Sequence, residues 1–506
     1  MESYLEGMRL IAPELVLCGV TLVVLVWDMV RRGRDARELG GVTLAGLAAT
    51  AWLLLGQWSA LGETGAHAGT VLGMVTVDRF GTFFKLFTVG ALAVVAFFVM
   101  VDRRERRRGI GEYYFLLLGA AIGIFFMVST NNLLLLMLGL ELLSLASYSL
   151  AGFHKGEKRS AEAALKYVVF GGLSAGVMLY GISLLFGLTG TIDLVEMGGA
   201  RSGLLAAQLH ASPIPVAVAM VLILAGFAYK VSVVPFHFWT PDVYEGAPTP
   251  VTTFLAVASK AAGFAVLLRF VGALFLVDGV EATIRAYGLG EVGVLLAVLS
   301  AVTMTLGNLA AIRQASLKRL LAYSSIAHAG YVLMGLAAMT AGGYSAAIFY
   351  LAAYYFMNLG AFGFLLYFEG VTGSETIDAL KGQGWKHPLV SWTMVIFLIS
   401  LTGLPPTVGF FGKFLLFREA LDANLGWLVV VAALNSVVSL FYYFRVAKAL
   451  FLATTDGEAK NRQPVLGGVL AALGACTVLF FLFNGALQDW SEQAPASLGI
   501  SPPPGE

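Results

Sequence analysis

Charge is what this chain has least of. Lysine, arginine, aspartate and glutamate make up 12% of its 506 residues, about half the share of a soluble domain. Hydrophobic residues make up 58%, with a mean hydropathy of +0.82. No soluble domain fits between the apolar runs, and there is no nucleic-acid module. Cysteine is nearly absent: Cys18 and Cys476 both fall in apolar segments, which excludes a thiolate metal centre or a redox pair. His67, His154, His210 and His387 lie mostly in connecting segments and give no bis-histidine pattern for haem. A Walker loop is missing, as is a glycine fingerprint set between strand and helix. The chain thus carries no energy source of its own. It either exchanges one ion for another or is driven by a partner. The net charge of +1 says little about partners.

What the chain has is apolar runs long enough to cross a bilayer. They fall at about 10–30, 41–58, 80–101, 113–129, 131–153, 163–189, 213–235, 250–275, 288–311, 321–339, 343–369, 388–416, 427–451 and 464–486, numbered here as spans 1 to 14. The fold class is all-α, a polytopic membrane protein. The N-terminus, MESYLEGMRL, lacks the basic start of a cleaved signal peptide, which leaves span 1 as the targeting signal. Charge placement tests the count. Connections after odd-numbered spans hold Arg31, Arg32, Arg34, Arg37, Arg103, Arg104, Arg106, Arg107, Arg108, Lys155, Lys158 and Arg159. They continue with Arg313, Lys318, Arg319, Lys381, Lys386, Arg445, Lys448, Lys460 and Arg462, for 21 of the 32 basic residues. The opposite side holds five: Arg9, Arg79, Arg201, Arg285 and Arg418. By the positive-inside rule this predicts both termini outside.

Six basic residues remain within spans: Lys85, Lys166, Lys230, Lys260, Arg269 and Lys413. An intramembrane ammonium costs roughly 2.5–3.5 kcal/mol on insertion scales, so it faces a protein interior or water. Arg269 lies far enough along span 8 to snorkel towards an interface. The run GFAYKVSVVPFHFWTPDVYEGAPTPVTTFLAVASK pairs Lys230 with Pro235 and Pro241 and ends on Lys260; ISLTGLPPTVGFFGKFLLF pairs Pro405 and Pro406 with Lys413. Proline breaks a helix, and irregular backbone at membrane depth survives only where protein or water satisfies it. A broken helix beside a lysine, recurring five spans later, predicts two oppositely oriented five-helix units. The divisions are 1–111, 112–275 (spans 4–8), 288–452 (spans 9–13) and 463–506. The tail QAPASLGISPPPGE is expected to form no stable helix and to be mobile.

Glu141, mid-span 5, needs a cation, water or a proton. Lys230 or Lys166 can pair with it, and weakening the pair would favour the neutral form of each partner. The alternative is a static ion pair that fixes helix packing. Glu162 precedes Lys166 by four residues, the spacing of a local pair. Lys260, His328 and Lys413 continue the series, with histidine the natural neutral-range relay or simply a satisfied core residue. Tyr229, His237, Tyr323, Ser324, Ser325, Tyr331, Tyr354 and Tyr355 are candidates to hold water between these sites. His237, Asp242 and Glu245 form either a proton entrance or a polar cap, and Glu14 reads best as a contact with a neighbouring protein.

MLGLELLSLASYSL, AEAALKY, YKVSVVPFHFWTPDVYEGAPTPVT, ASK, RLLAYSSIAHAGY and LTGLPPTVGFFGKF resemble the antiporter-like membrane subunits of respiratory complex I, NADH-quinone oxidoreductase. Within that family the N-type branch is most similar: the lysine at 413 stands where the M-type has glutamate, and no long lateral helix of the L-type follows span 14. The resemblance implies fourteen helices, inverted repeats with helices 7 and 12 broken, and one proton moved per subunit, driven by quinone reduction elsewhere. It implies Glu141 and Lys230 as the coupling pair, Lys260 and His328 as central relay, and Lys413 as terminal site; Lys166, read from its position alone, is either a relay or tuning residue or half of a local pair with Glu162. It places FMN, iron–sulfur clusters and quinone in partner subunits, with none in this chain. An M-type subunit and a small multi-helix subunit are the expected neighbours in a bacterial inner membrane. A cation/proton antiporter subunit of Mrp type and a purely structural subunit are the competing readings.

Overall fold

The computed structural model describes residues 7–31, 37–63, 67–102, 109–198, 204–276, 290–452 and 463–500. Arg32, Arg34, Arg103, Arg104, Arg106, Arg107, Arg108, Arg201, Arg285, Lys460 and Arg462 lie outside them, as do positions 288–289 of span 9 and 501–506 of the tail.

Among the described residues the fold is helical, apart from a small antiparallel hairpin, His67–Val71 with Val75–Asp78, and a few isolated bridges. Thirteen helices among the described residues are long and apolar enough to span a membrane. They realise every expected span except the twelfth, which is divided into Pro388–Thr402 and Val408–Asp422. Spans 4 and 5 are separate helices, Ile110–Val128 and Leu133–Ala151, because Asn132 caps the second by accepting from Leu134 and Leu135. Neighbours in sequence pack side by side, most extensively spans 9 with 10, 4 with 5, and 6 with 7.

Burial sorts the helices. Spans 8, 10 and 11 (Thr249–Phe275, Leu317–Ala337 and Ala341–Thr372) are almost wholly enclosed. Spans 1, 6, 7, 13 and 14 turn apolar faces outward, such as Leu165, Val169 and Leu173 on span 6 and Val437, Phe441 and Phe444 on span 13. An outward apolar face suits hydrocarbon, so the polar residues that matter are driven to the centre.

Three expectations are corrected. Arg269 does not snorkel: it is 1% exposed and donates to both Asp78 oxygens at 2.8 and 2.9 Å and to the Val128 carbonyl at 2.9 Å. Its guanidinium ties spans 3, 4 and 8 together. Glu14 is claimed within the chain, by a buried pair with Lys85 that joins spans 1 and 3. The tail is ordered as far as it is described. Gly485–Ala496 is helical, Trp490 packs on Trp58 at 4.9 Å, Ser497 accepts from the Phe80 amide at 3.0 Å, and Ile500 is buried. Its apolar and capping groups find partners on spans 2 and 3, and sequence composition does not register such partners.

Candidate functional site

Helix Pro213–Lys230 stops at the lysine, and the chain resumes as Trp239–Gly246. The freed backbone between is satisfied by protein. The Val234 amide donates to the Thr303 hydroxyl of span 9 at 3.1 Å, and the Trp239 indole donates to the Tyr229 carbonyl at 3.0 Å. The second break, after Thr402, does likewise: the Gly409 amide donates to the Ser400 hydroxyl at 3.1 Å. Each break contains a cis X–Pro bond, Val234–Pro235 and Pro405–Pro406.

The breaks place their lysines at helix C-termini, where carbonyls lack intrahelical donors and the helix dipole is negative. Lys413 donates to the carbonyls of Thr402 (2.8 Å) and Leu401 (3.3 Å) and to the Ser436 hydroxyl (3.1 Å). It also lies 4.2 Å from the centre of the Tyr331 ring. Lys230 is the last residue of its helix and donates to the Ser144 hydroxyl at 3.2 Å. Ser144 stands one turn beyond Glu141 on span 5. Glu141 and Lys230 form no direct ion pair among the described residues; the ammonium meets Ser144 instead. One Glu141 oxygen, Oε1, is buried without a hydrogen-bond partner among the described residues.

Lys260 sits immediately after a π-turn, Leu255–Ser259, in an otherwise α-helical span. Such turns are frequent at functional sites. Its ammonium donates to the Ser325 carbonyl (3.0 Å) and hydroxyl (2.5 Å), and Tyr354 donates to the same hydroxyl at 2.8 Å. His328 lies one turn along from Ser325 and is bracketed by Tyr350 (Nδ1 to hydroxyl, 2.6 Å) and Tyr443 (Nε2 to hydroxyl, 3.2 Å). Tyr443 shares a hydrogen bond with Ser324, and Tyr331 shares one with Ser436 at 3.0 Å. Polar groups therefore run from Lys260 through Ser325, Tyr354, His328 and Tyr331 to Ser436 and Lys413. Between Lys230 and Lys260, the Lys230 stem lies against Gly263, where an added Cβ would stand 3.1 Å from its Cγ.

Lys166 stands apart from this series. It pairs with Asp242 and Glu162, both at 2.6 Å, and Asp242 and Glu245 in turn accept from Arg319 at 2.7 and 2.8 Å. The helix Trp239–Gly246 brings these carboxylates between spans 6 and 10. A cavity of about 320 Å³ opens beside Glu245, lined also by Lys318, Glu369 and Glu375. Glu369 accepts from the Thr249 hydroxyl at 2.7 Å, and Lys318 donates to the Ala247 carbonyl at 2.8 Å. Burial raises the Glu375 carboxyl above its ordinary range, against the pull of Lys318 and with the help of Glu369. His237 packs on Phe238 and makes no ion pair among the described residues.

Ser144, Tyr350, Ser436 and Tyr443 were not singled out from sequence. Helical spacing puts Ser144 and Tyr350 near residues already singled out, but it does not select them from other polar residues. Ser144 is three residues after Glu141, Tyr350 four before Tyr354, and Ser436 seven before Tyr443. Tyr229, Tyr323 and Tyr355 point elsewhere: Tyr229 donates to the Tyr167 carbonyl, Tyr323 faces Arg319, and Tyr355 meets Phe87 edge to face. No group of three or more His, Cys, Asp or Glu able to hold a metal occurs among the described residues.

Residues 130–439 match the family described as NADH:quinone oxidoreductase/Mrp antiporter, TM. NADH-quinone oxidoreductase subunit N 2 of Sorangium cellulosum is 43% identical over 499 residues, which is 96% of this chain and 97% of that protein. A chain of respiratory complex I from Thermus thermophilus superposes with a TM-score of 0.77 at 33% identity, covering 94% of this chain and 98% of the other. A chain of the Mrp complex from Dietzia sp. reaches 0.84 at 22% identity, with 98% of each covered, which shows the fold alone. The resemblance read from the motifs is borne out, and the chain belongs to the NADH-quinone oxidoreductase subunit N family.

Proposed function

We propose that the chain is a proton-translocating subunit of the membrane arm of an NADH-quinone oxidoreductase. Protons pass along Lys230, Lys260, His328 and Lys413, with Glu141 and Lys166 controlling the first of them, coupled to quinone reduction in other subunits. One observation carries this reading. Lys230, Lys260 and Lys413 are each at most 4% exposed, and among the described residues none has a carboxylate within ion-pair distance. Ammonium groups that only fixed helix packing would be expected to meet carboxylates, as Lys85 meets Glu14. These three meet neutral hydroxyls and carbonyls instead, so their proton occupancy can respond to a neighbouring charge.

In this scheme a charge change arriving along the membrane arm alters the interaction of Glu141 with Lys230. Lys230 passes a proton towards Lys260 and His328, the hydroxyls of Ser325, Tyr354, Tyr331 and Ser436 bridge the way, and Lys413 releases it to the opposite face. Lys166 acts from the membrane edge, through Asp242, on the helix that follows Lys230. The cavity at Glu245 and Glu369 serves as the proton vestibule. Residues 112–275 and 288–452 form the two inverted units, with 1–111 and 463–506 flanking them. Both termini lie on the periplasmic side of a bacterial inner membrane. FMN, iron–sulfur clusters and quinone belong to partner subunits, and an M-type subunit and a small multi-helix subunit are the membrane neighbours.

The test is Lys230→Ala, with proton pumping and NADH oxidation measured in the same inverted vesicles and assembly of the complex checked. Loss of pumping with or ahead of electron transfer in an assembled complex is expected. Normal rates of both would refute the scheme, and failure to assemble would favour a structural role. Acidification that requires Na⁺ or K⁺ would favour cation exchange.

A further inference from the structure

Where the connection between spans 11 and 12 meets the end of span 13, a cavity of about 370 Å³ opens. Lys381, Arg445 and Lys448 line it with a single acid, Asp378, so its formal charge is three minus one, or +2. Asp378 pairs with Lys381 at 2.7 Å, which leaves Lys448 exposed and with no carboxylate within ion-pair distance among the described residues. The site is built before any ligand arrives. The amides of Gly382 and Gly384 donate to the carbonyls of Ala449 (3.0 Å) and Leu450 (2.9 Å), and the Trp385 indole donates to that of Phe451 (3.0 Å). Arg445 is held by the carbonyls of Ile312, at 2.8 Å, and Gln314.

Two further observations point to what fills it. Trp385 and Trp392 are more than half exposed and both pack on Phe451, an aromatic grouping of the kind that marks the headgroup level of a bilayer. From Lys448 the exposed face of span 13 continues as Phe444, Phe441 and Val437, one stripe at helical spacing. From 448 to 437 is about 16 Å along a helix, close to the roughly 15 Å of one leaflet's hydrocarbon. A basic cup at headgroup level stands at the head of an apolar stripe as long as an acyl chain.

We propose that this cavity binds an anionic phospholipid, its phosphate between Lys448, Lys381 and Arg445 and one acyl chain along Phe444, Phe441 and Val437. Basic pockets at this level favour acidic headgroups by charge, and each lysine near the surface contributes about a fivefold preference. This site is independent of the proton route.

The test uses the purified complex in phosphatidylcholine nanodiscs containing a photoactivatable phosphatidylglycerol, with crosslinks mapped by peptide mass spectrometry. Crosslinking is expected within 437–452. It should fall about fivefold in Lys448→Ala and about 25-fold when Lys381→Ala is added. A photoactivatable phosphatidylcholine should be unaffected, as should both probes in Lys158→Ser, a control at an exposed lysine on span 6. Should Lys381→Ala disturb the connection, Lys448→Ala alone still decides. Unchanged phosphatidylglycerol crosslinking in the variants overturns the proposal. Equal loss of both lipids reduces the site to a tail groove and overturns headgroup recognition. Displacement by millimolar inorganic phosphate assigns the cup to a soluble anion and overturns the lipid.

Discussion

Gly403→Ala is a demanding test of how Lys413 is placed. Gly403 closes the first half of span 12 with φ +88°, its amide donating to the carbonyls of Ile399 and Ser400, both at 3.0 Å. A Cβ there would stand 2.7 Å from Lys413 Cδ and 3.4 Å from Nζ. Carbon atoms prefer about 3.5–4.0 Å, so the stem has to move by roughly 0.8 Å or more. The ammonium bonds to Leu401 and Ser436, at 3.3 and 3.1 Å, have little slack before they exceed hydrogen-bond length. The left-handed backbone costs roughly 1–2 kcal/mol for alanine, and losing one charge-assisted bond costs about 1.5–3 kcal/mol. Only the second term touches proton transfer, where about 1.4 kcal/mol is a factor of ten. Gly373 supplies the control: its φ is +72° and an added Cβ would meet nothing within 4 Å. Both alanine variants should lose similar backbone stability. Only Gly403→Ala should lower proton pumping, tenfold or more, in vesicles with matched amounts of assembled complex. Indistinguishable pumping by the two would show that the glycine does not position the lysine.

Two other expectations are structural. Arg269→Ala leaves Asp78 buried and uncompensated and should cost about 3–5 kcal/mol, seen as a lower melting temperature of the purified complex or as failed assembly. Glu375→Gln tests the ionic connection between spans 11 and 12. Because the folded carboxyl is raised by burial, its contribution is full below the ordinary glutamate range and is lost as pH rises through the raised value. Melting scans should therefore show wild type losing stability relative to the variant from about pH 4 upward, and parallel pH profiles would contradict the assignment.

The spans and their lysines were legible because both signals are local. A run of some twenty apolar residues declares itself, and Lys230, Lys260 or Lys413 stands out against it as the one residue that pays to be there. His328 was legible for the same reason. Prolines marked both breaks to within a few residues, although only the coordinates show span 7 stopping at Lys230 and span 12 running on to Asp422. The π-turn before Lys260 has no such mark, since LAVAS reads as ordinary helix.

Partnership was what the chain alone left open. Lys166 was offered to Glu141 by its span, yet it pairs with Glu162, as their spacing allowed, and with Asp242, in a segment that reads as a connection and folds as a helix. Arg269 and Asp78 are separated by 191 positions, and Lys85 and Glu14 by 71. Eighteen tyrosines gave no reason to prefer Tyr350 and Tyr443, which only the crossing of spans 10, 11 and 13 brings to His328. Hydropathy is a sum over neighbours in sequence, so composition by itself determined that this is a many-span membrane protein with cations at depth. An ion pair or a proton path depends on distances between helices far apart in the chain, and those were decided by how the apolar faces pack.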